Sequence, residues 1–122
     1  MIPVIYYAHS ILFYNTPREK EELKILQRYF YNGLIFNPNC DRIQYSQDPM
    51  LECIKVVKDL TITDIAFSAI DSLVGQGVYQ EVQIALDMRK PIYIIKGKTC
   101  YPFSDTFELM KQDKRKAWAR VI

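Results

Sequence analysis

The residues best suited to chemistry lie close together in the middle of the chain, between Gly75 and Glu81. Gly75 and Gly77 permit positive φ and close backbone approach, and the N–H groups of a helix starting there would bind phosphate or carboxylate. Glu81 falls about one turn into that helix, where the helix dipole favours the ionised form. Such a carboxylate suits a nucleophile or a stabiliser of a cationic sugar. A tight loop with a solvated helix carboxylate would explain the same residues, because Gly-x-Gly is a weak motif.

The surrounding pattern predicts a β-α-β unit that positions this turn. An apolar run at residues 65–70 precedes the glycines, and a second run at residues 91–95 follows the helical pattern. Two earlier strands are predicted at residues 3–8 and 34–36. The glycine turn would therefore follow the carboxyl end of a buried strand, where open α/β sheets bind ligands.

Capping residues mark the starts of two further helices. Thr16 is expected as the N-cap of the first, with Pro17 at its first position and Glu19 closing a capping box. Asp48 and Pro49 predict the start of the second in the same way, after a polar loop. The expected apolar faces are Leu23, Leu26 and Phe30 on the first helix, and Leu51, Ile54 and Val57 on the second.

The pattern weakens after Gly97. Residues 101–103 predict an extended or turn segment, residues 105–116 a helix, and residues 121–122 a short edge strand or a frayed end. The length predicts one domain over residues 1–122. The alternation of elements predicts an α/β fold, a flavodoxin-like or Rossmann-like three-layer sandwich. Its parallel sheet would have about four to five strands in the order 2-1-3-4, with helices on both faces.

Composition excludes several classes of protein. With 16 basic and 14 acidic residues, the net charge of +2 is too small to indicate a nucleic acid partner. The 3 cysteines are widely spaced, with 1 histidine to join them, so we expect neither disulfides nor a metal or other cofactor. No apolar run approaches the roughly 20 residues that span a bilayer. We therefore expect a cytoplasmic protein without a membrane partner.

Aromatic residues are more frequent than a small core requires. The chain has 9 tyrosines, 6 phenylalanines and 1 tryptophan. Some of them are expected to line a pocket or a subunit interface. We therefore expect a homo-oligomer that binds a small molecule.

Polar residues follow the first two predicted strands. His9 and Ser10 come directly after the first strand, and Asn37 and Asn39 come after the second. Their place at the carboxyl edge of a parallel sheet makes them candidate ligand contacts. A lone histidine at a strand end is more often structural, and asparagines are equally typical of turns, so both interpretations stay open.

Three segments of the chain carry a family pattern. They read I-Y-Y-A-H-S-I at residues 5–11, T-D-I-A-F-S-A at residues 63–69 and G-Q-G-V-Y-Q-E at residues 75–81, followed by Ala85 and by K-P-I at residues 90–92. Together they resemble the nucleoside 2-deoxyribosyltransferase superfamily, which includes 2'-deoxynucleoside 5'-monophosphate N-glycosidases. The resemblance covers about residues 3–96 and is strongest around Glu81.

The resemblance implies roles for individual residues. Glu81 matches the family's nucleophile at the anomeric carbon, and Gly77 matches the family's glycine four residues earlier. Tyr7 or Tyr6 would match the aromatic residue beside the base, although core packing explains either tyrosine as well. The pair His9-Ser10 replaces the small residues that are common in the family.

Two positions depart from the family pattern. Gly75 stands where the transferases carry an acidic residue. The family's second carboxylate would fall near Val56, which has Glu52 and Asp59 as its acidic neighbours, and Asp71 could take that role instead. Glycosyl transfer normally needs a second group that protonates the leaving base, so these departures bear on turnover more than on the class of ligand.

The resemblance implies an N-glycosidase or deoxyribosyltransferase acting on a nucleoside or nucleotide. Glu81 would attack C1', while the backbone of Gly75, Gly77 and Val78 would hold a phosphate or sugar hydroxyl. Tyr7 would stack on the base, and Asp71 or His9 would assist the leaving group. The alternative is a module on the same fold that senses or sequesters a nucleotide or ADP-ribose-like ligand without turnover, which the missing carboxylate favours.

Overall fold

Helices and strands alternate along most of the chain in a computed structural model, which describes residues 2–104, 107–109 and 119–121. The strands are β1 (Val4–Ala8), β2 (Leu34–Phe36), β3 (Asp64–Ser68), β4 (Leu73–Val74), β5 (Ile92–Lys96), β6 (Thr99–Pro102), β7 (Phe107–Leu109) and β8 (Ala119–Val121). The helices are α1 (Pro17–Tyr29), α2 (Asp41–Gln44), α3 (Pro49–Lys58) and α4 (Gln76–Asp87), with a 3-10 turn at Ile11–Phe13.

The main sheet has five strands in the order β2-β1-β3-β5-β6. The first four are mutually parallel, and β6 pairs antiparallel with β5. The prediction of an α/β fold with a mostly parallel sheet flanked by helices is confirmed, and the arrangement is consistent with a flavodoxin-like fold. The predicted sheet was fully parallel, whereas the edge strand β6 is antiparallel. It forms because Gly97, with φ of 59°, turns the chain directly back after β5.

The sheet divides the core into two clusters, because successive side chains of a strand point to opposite faces. Tyr6 and Phe67 lie in the cluster on the α3 and α4 side, whereas Tyr7 and Ala66 lie in the cluster on the α1 side. The helices contribute Cys53, Val57, Val78, Val82 and Ala85 to the first cluster, and Ile25 and Leu26 to the second. Tyr6 and Tyr7 are therefore fully buried on opposite faces of one strand.

The start of α1 is capped as predicted, but the capping box is not formed. The hydroxyl of Thr16 accepts the backbone N–H of Glu19 at 3.4 Å. The Glu19 carboxylate accepts the N–H of Asn15, at 3.1 Å, instead of the N–H of the N-cap residue. The backbone N–H of Thr16 already donates to the carbonyl of Phe13. The carboxylate of Glu19 instead points toward the core, where it contacts His9.

Several other predictions of local structure were wrong. The loop expected before α3 contains α2, and on α3 Leu51 is exposed while Cys53 is buried. The helix predicted at residues 105–116 is contradicted at Phe107–Leu109, which forms β7, and its other residues lie outside the described ones, as does Ile122. Strand β8 pairs with β7 and with β4 in a second, three-stranded antiparallel sheet.

Candidate functional site

A cleft lies at the carboxyl ends of β1 and β3. The chain passes from β1 to β2 on one side and then to β3 on the other, so the strand order reverses between β1 and β3. Open α/β sheets bind ligands at such a point. Two adjoining cavities form the cleft. The glutamate cavity, of about 260 Å³, contains Glu81 in its wall, and the apolar cavity, of about 240 Å³, contains Phe13. Ser10, Gly75 and Val78 line both cavities and join them.

Helix α4 carries Glu81 into the wall of the glutamate cavity. Val78, Val82 and Ala85 share its inward face at helical spacing, so packing of that face on the sheet fixes the position of the carboxyl. Glu81 is only 5% exposed, and the hydroxyl of Tyr6 donates a hydrogen bond to its Oε2. The carboxyl of Glu81 therefore lies at the boundary between the hydrophobic core and the glutamate cavity.

The environment of Glu81 favours its neutral form more than the sequence suggested. Burial raises the pKa of Glu81 to about 7, and the hydrogen bond from Tyr6 opposes this only in part. The expectation that the helix dipole would keep Glu81 ionised is therefore corrected, because desolvation of the carboxylate acts the other way. Near neutral pH the group passes between acid and carboxylate, a property typical of catalytic carboxyls.

Neither glycine has the positive φ that was expected, and Gly77 serves close packing instead. Gly75 is the N-cap of α4 with φ of −77°, which any residue can adopt. A Cβ at Gly77 would lie 2.7 Å from Cε of Met50, whose side chain lines the glutamate cavity. Gly77 therefore allows α3 and the thioether of Met50 to approach the first turn of α4 closely.

Asp71 lines the apolar cavity and not the cavity that contains Glu81. Asp71 and Ser72 have φ of 49° and 67° and form a two-residue turn. The residues on either side, Ile70 and Leu73, exchange backbone hydrogen bonds of 2.9 and 2.7 Å. Asp71 can therefore reach a ligand that extends through both cavities.

The other two candidate carboxylates lie elsewhere. Glu52 pairs with Lys55 at 3.3 Å on α3, and Asp59 accepts the N–H of Thr61 at 2.8 Å. Both line a separate surface cavity beside β2. Among the described residues, Glu81 is the one carboxylate that lines the glutamate cavity.

His9 lines the glutamate cavity, but both of its ring nitrogens are bonded. Nδ1 donates to the carbonyl of Tyr7 at 3.0 Å, and Nε2 contacts Oε2 of Glu19 at 2.7 Å. Both partners are hydrogen-bond acceptors, so both ring nitrogens are engaged within the protein. Burial acts to raise the pKa of Glu19, but hydrogen bonds from His9, Asn15 and Asn39 hold it below its usual value. This geometry favours the structural interpretation of His9.

Tyr7 does not line the glutamate cavity. Its ring stacks on His9 with centroids 3.7 Å apart, and its hydroxyl donates to Glu22 on the α1 side. Ser68 donates to the same carboxylate at 2.7 Å. The tyrosine that reaches Glu81 is Tyr6. Because adjacent strand residues face opposite ways, Tyr7 faces away from the glutamate cavity, and its stacking on a base stays a prediction.

Asn37 acts as a turn former. Its Oδ1 accepts the backbone N–H of Asn39 at 2.9 Å, and the side chain of Asn39 donates to Glu19. Neither asparagine lines the glutamate or the apolar cavity. The geometry of Asn37 is that of a turn former, and its contact with a ligand stays a prediction.

The lining of the glutamate cavity includes residues that were not anticipated, among them Tyr14, Met50 and Cys53. Tyr14 comes shortly before the N-cap of α1, and Met50 comes shortly after the N-cap of α3. Helices that follow parallel strands begin at the ligand-binding edge of the sheet, so these predicted N-caps could have indicated both residues. Burial raises the pKa of the Cys53 thiol, which therefore stays neutral.

The described residues place further limits on the site. Within residues 2–104, 107–109 and 119–121, no helix is long and apolar enough to cross a membrane, and no group of three or more His, Cys, Asp or Glu residues could hold a metal ion. Comparison of the chain with protein-family models, with curated proteins and with solved structures found no match.

Proposed function

We propose that the chain is an N-glycosidase or deoxyribosyltransferase acting on a nucleoside or nucleotide, with Glu81 as the nucleophile at C1'. The observation that carries this proposal is the buried carboxyl of Glu81 in the wall of a cavity at the switch point of a parallel sheet. Together the two cavities have the size of a small-molecule site. The resemblance of residues 75–81 to the nucleoside 2-deoxyribosyltransferase superfamily supports the same glutamate.

The geometry supports a step in which one carboxylate oxygen reacts. Tyr6 holds Oε2 of Glu81, while no hydrogen bond from the described residues engages Oε1. Oε1 would form a bond to C1' as the bond from C1' to the base nitrogen breaks, its electron pair leaving with the base. Water then displaces Glu81 in hydrolysis, or a second base displaces it in transfer.

The leaving base needs a proton. His9 is poorly suited to supply it, because both of its ring nitrogens are bonded within the protein. Asp71, in the adjoining apolar cavity, is the carboxyl that a ligand spanning the cleft would meet. We therefore keep Asp71 as the candidate proton donor.

A second candidate is a module that binds a nucleotide or an ADP-ribose-like ligand without turnover. One observation favours it: the described lining of the glutamate cavity includes one carboxylate, whereas glycoside cleavage normally uses two. Binding without release of free base is the behaviour that separates this function from the first.

Release of free base from a panel of nucleosides and nucleoside monophosphates tests the proposal. Glu81→Gln can still accept the bond from Tyr6 but cannot carry charge, so base release should fall by several orders of magnitude while binding persists. Glu52→Gln removes a carboxylate of the separate surface cavity and should leave release unchanged. Undiminished release in Glu81→Gln would exclude the nucleophile. Wild-type protein that binds but releases no base would favour the binding module.

A homo-oligomer and a cytoplasmic location stay predictions. The exposed apolar side chains of Ile11, Leu12, Met50 and Ile70 line the two cavities and offer a surface for a second copy. These side chains support the first prediction.

A further inference from the structure

The ring of Tyr14 is held in place at the glutamate cavity without the use of its hydroxyl. Its backbone N–H donates to the carbonyl of Ile11 at 3.1 Å and ends the 3-10 turn. Its ring lies against the ring of His9, with centroids 4.9 Å apart and planes tilted by 48°. His9 is itself fixed by Tyr7 and Glu19. Tyr14 is thus a half-buried cavity residue with a rigid support behind it.

Other polar side chains of this cavity already have partners. His9 is bonded at both nitrogens, Glu81 accepts from a tyrosine, and Nε2 of Gln44 donates to the carbonyl of Pro38 at 3.0 Å. The hydroxyl of Tyr14 bonds to none of the described residues. Every fully buried polar side-chain atom among these residues has a hydrogen-bond partner, so the hydroxyl of Tyr14 is not fully buried. The phenol is therefore a donor left for a ligand.

The chemistry of Tyr14 suits a neutral hydrogen-bond donor. Burial raises the pKa of Tyr14, and Cys53 and Glu81, which line the same cavity, add to the rise. The hydroxyl therefore keeps its proton at ordinary pH and can donate a hydrogen bond to a ligand acceptor. A nucleoside whose C1' contacts Glu81 brings its base, attached at C1', to the surrounding walls of this small cavity. Purine ring nitrogens are hydrogen-bond acceptors that such a hydroxyl can meet.

We propose that Tyr14 is a specificity-determining residue whose hydroxyl donates a hydrogen bond to a ring nitrogen of the base. This inference rests on the proposed function, since it assigns a substrate contact within the same cleft. It differs from the roles of Glu81 and Asp71 because no proton is transferred. Selectivity would follow because a base without an acceptor at that place leaves the phenol unpaired.

Calorimetric binding of 2'-deoxyadenosine to Tyr14→Phe tests this contact. The variant keeps the ring against His9 and removes only the hydroxyl, so affinity should fall about tenfold for one lost hydrogen bond. Tyr45→Phe is the matched control, since Tyr45 is 85% exposed, and it should bind within about twofold of wild type. The 1-deaza, 3-deaza and 7-deaza analogues each replace one ring nitrogen by C–H. One of them should bind wild type about tenfold more weakly than 2'-deoxyadenosine, yet bind Tyr14→Phe as well as 2'-deoxyadenosine does.

The outcomes separate this inference from the proposed function. Equal affinity of wild type and Tyr14→Phe for 2'-deoxyadenosine would overturn the role of Tyr14 and leave Glu81 untouched. A loss in Tyr14→Phe that none of the three analogues reproduces would overturn the contact with a ring nitrogen. Wild type that binds with the expected pattern but releases no base would overturn the glycosidase and retain Tyr14. A wild-type protein that binds none of these probes would overturn the contact of Tyr14 with a purine, while base release from the full panel would still decide the proposed function.

Discussion

The raised pKa of Glu81 predicts that the stability of the fold depends on whether this carboxyl is charged. In the unfolded chain Glu81 ionises near 4.5, and in the folded protein near 7. Between these pH values the folded protein holds a proton that the unfolded chain has released. The free energy of unfolding should therefore fall as the pH rises through this window, and the loss should be complete above about pH 7.

The size of this loss follows from the same two values. A rise in pKa from 4.5 to about 7, at roughly 1.4 kcal/mol per pH unit, gives about 3 kcal/mol. Glu81→Gln removes the titration but keeps an acceptor for Tyr6. Relative to wild type, the variant should therefore gain about 3 kcal/mol of stability between pH 4.5 and pH 8.

Urea unfolding at a series of pH values, followed by circular dichroism, measures this difference. The informative quantity is the free energy of unfolding of Glu81→Gln minus that of wild type, because other titrating groups cancel in it. Glu52→Gln, which changes a carboxylate on the outer side of α3, is the matched control for the loss of a carboxylate. If the Glu81→Gln difference does not change over this pH range, the carboxyl of Glu81 is not buried in the way described.

Two further predictions concern tyrosine placement and helix capping. Tyr7→Phe should cost about 1–3 kcal/mol by leaving the buried carboxylate of Glu22 short of a donor, with nucleoside affinity unchanged. A loss of affinity without a loss of stability, measured by calorimetry and urea unfolding, would return Tyr7 to the ligand site. Thr16→Ala should lower the free energy of unfolding by about 1 kcal/mol through the lost N-cap bond. An unchanged urea midpoint would remove that role from Thr16.

Regular patterns predicted the framework, because they reflect local rules of the backbone. The bounds of β2 and the N-caps Thr16 and Asp48 follow from period and capping residues. The helix predicted across Phe107–Leu109 failed because pairing with β8 decides that segment, and the pairing is not local.

The polar interior was harder to predict than the framework. Glu19 and Glu22 look like solvated helix residues in the sequence, yet both are buried. Tyr7 of β1 donates a hydrogen bond to Glu22, and His9, which directly follows β1, contacts Glu19. Alternation along a strand predicts that Tyr6 and Tyr7 face opposite sides of the sheet. It does not predict which of the two tyrosines faces α4. Such choices depend on the layers that pack on each face, and one sequence does not encode them locally.

The adjacent tyrosines of β1, Tyr6 and Tyr7, also help to fix the register of this strand in the sheet. β1 is apolar toward both layers, so burial of hydrophobic surface alone distinguishes poorly between the native alignment and one shifted by a residue. The hydroxyls do distinguish them. A shift of one residue in one direction leaves no tyrosine opposite Glu22, and a shift of one residue in the other direction leaves no tyrosine opposite Glu81. Either error leaves a buried carboxyl without its donor, at a cost of about 1–3 kcal/mol. The same two residues that support the cleft thus help to specify a single native sheet.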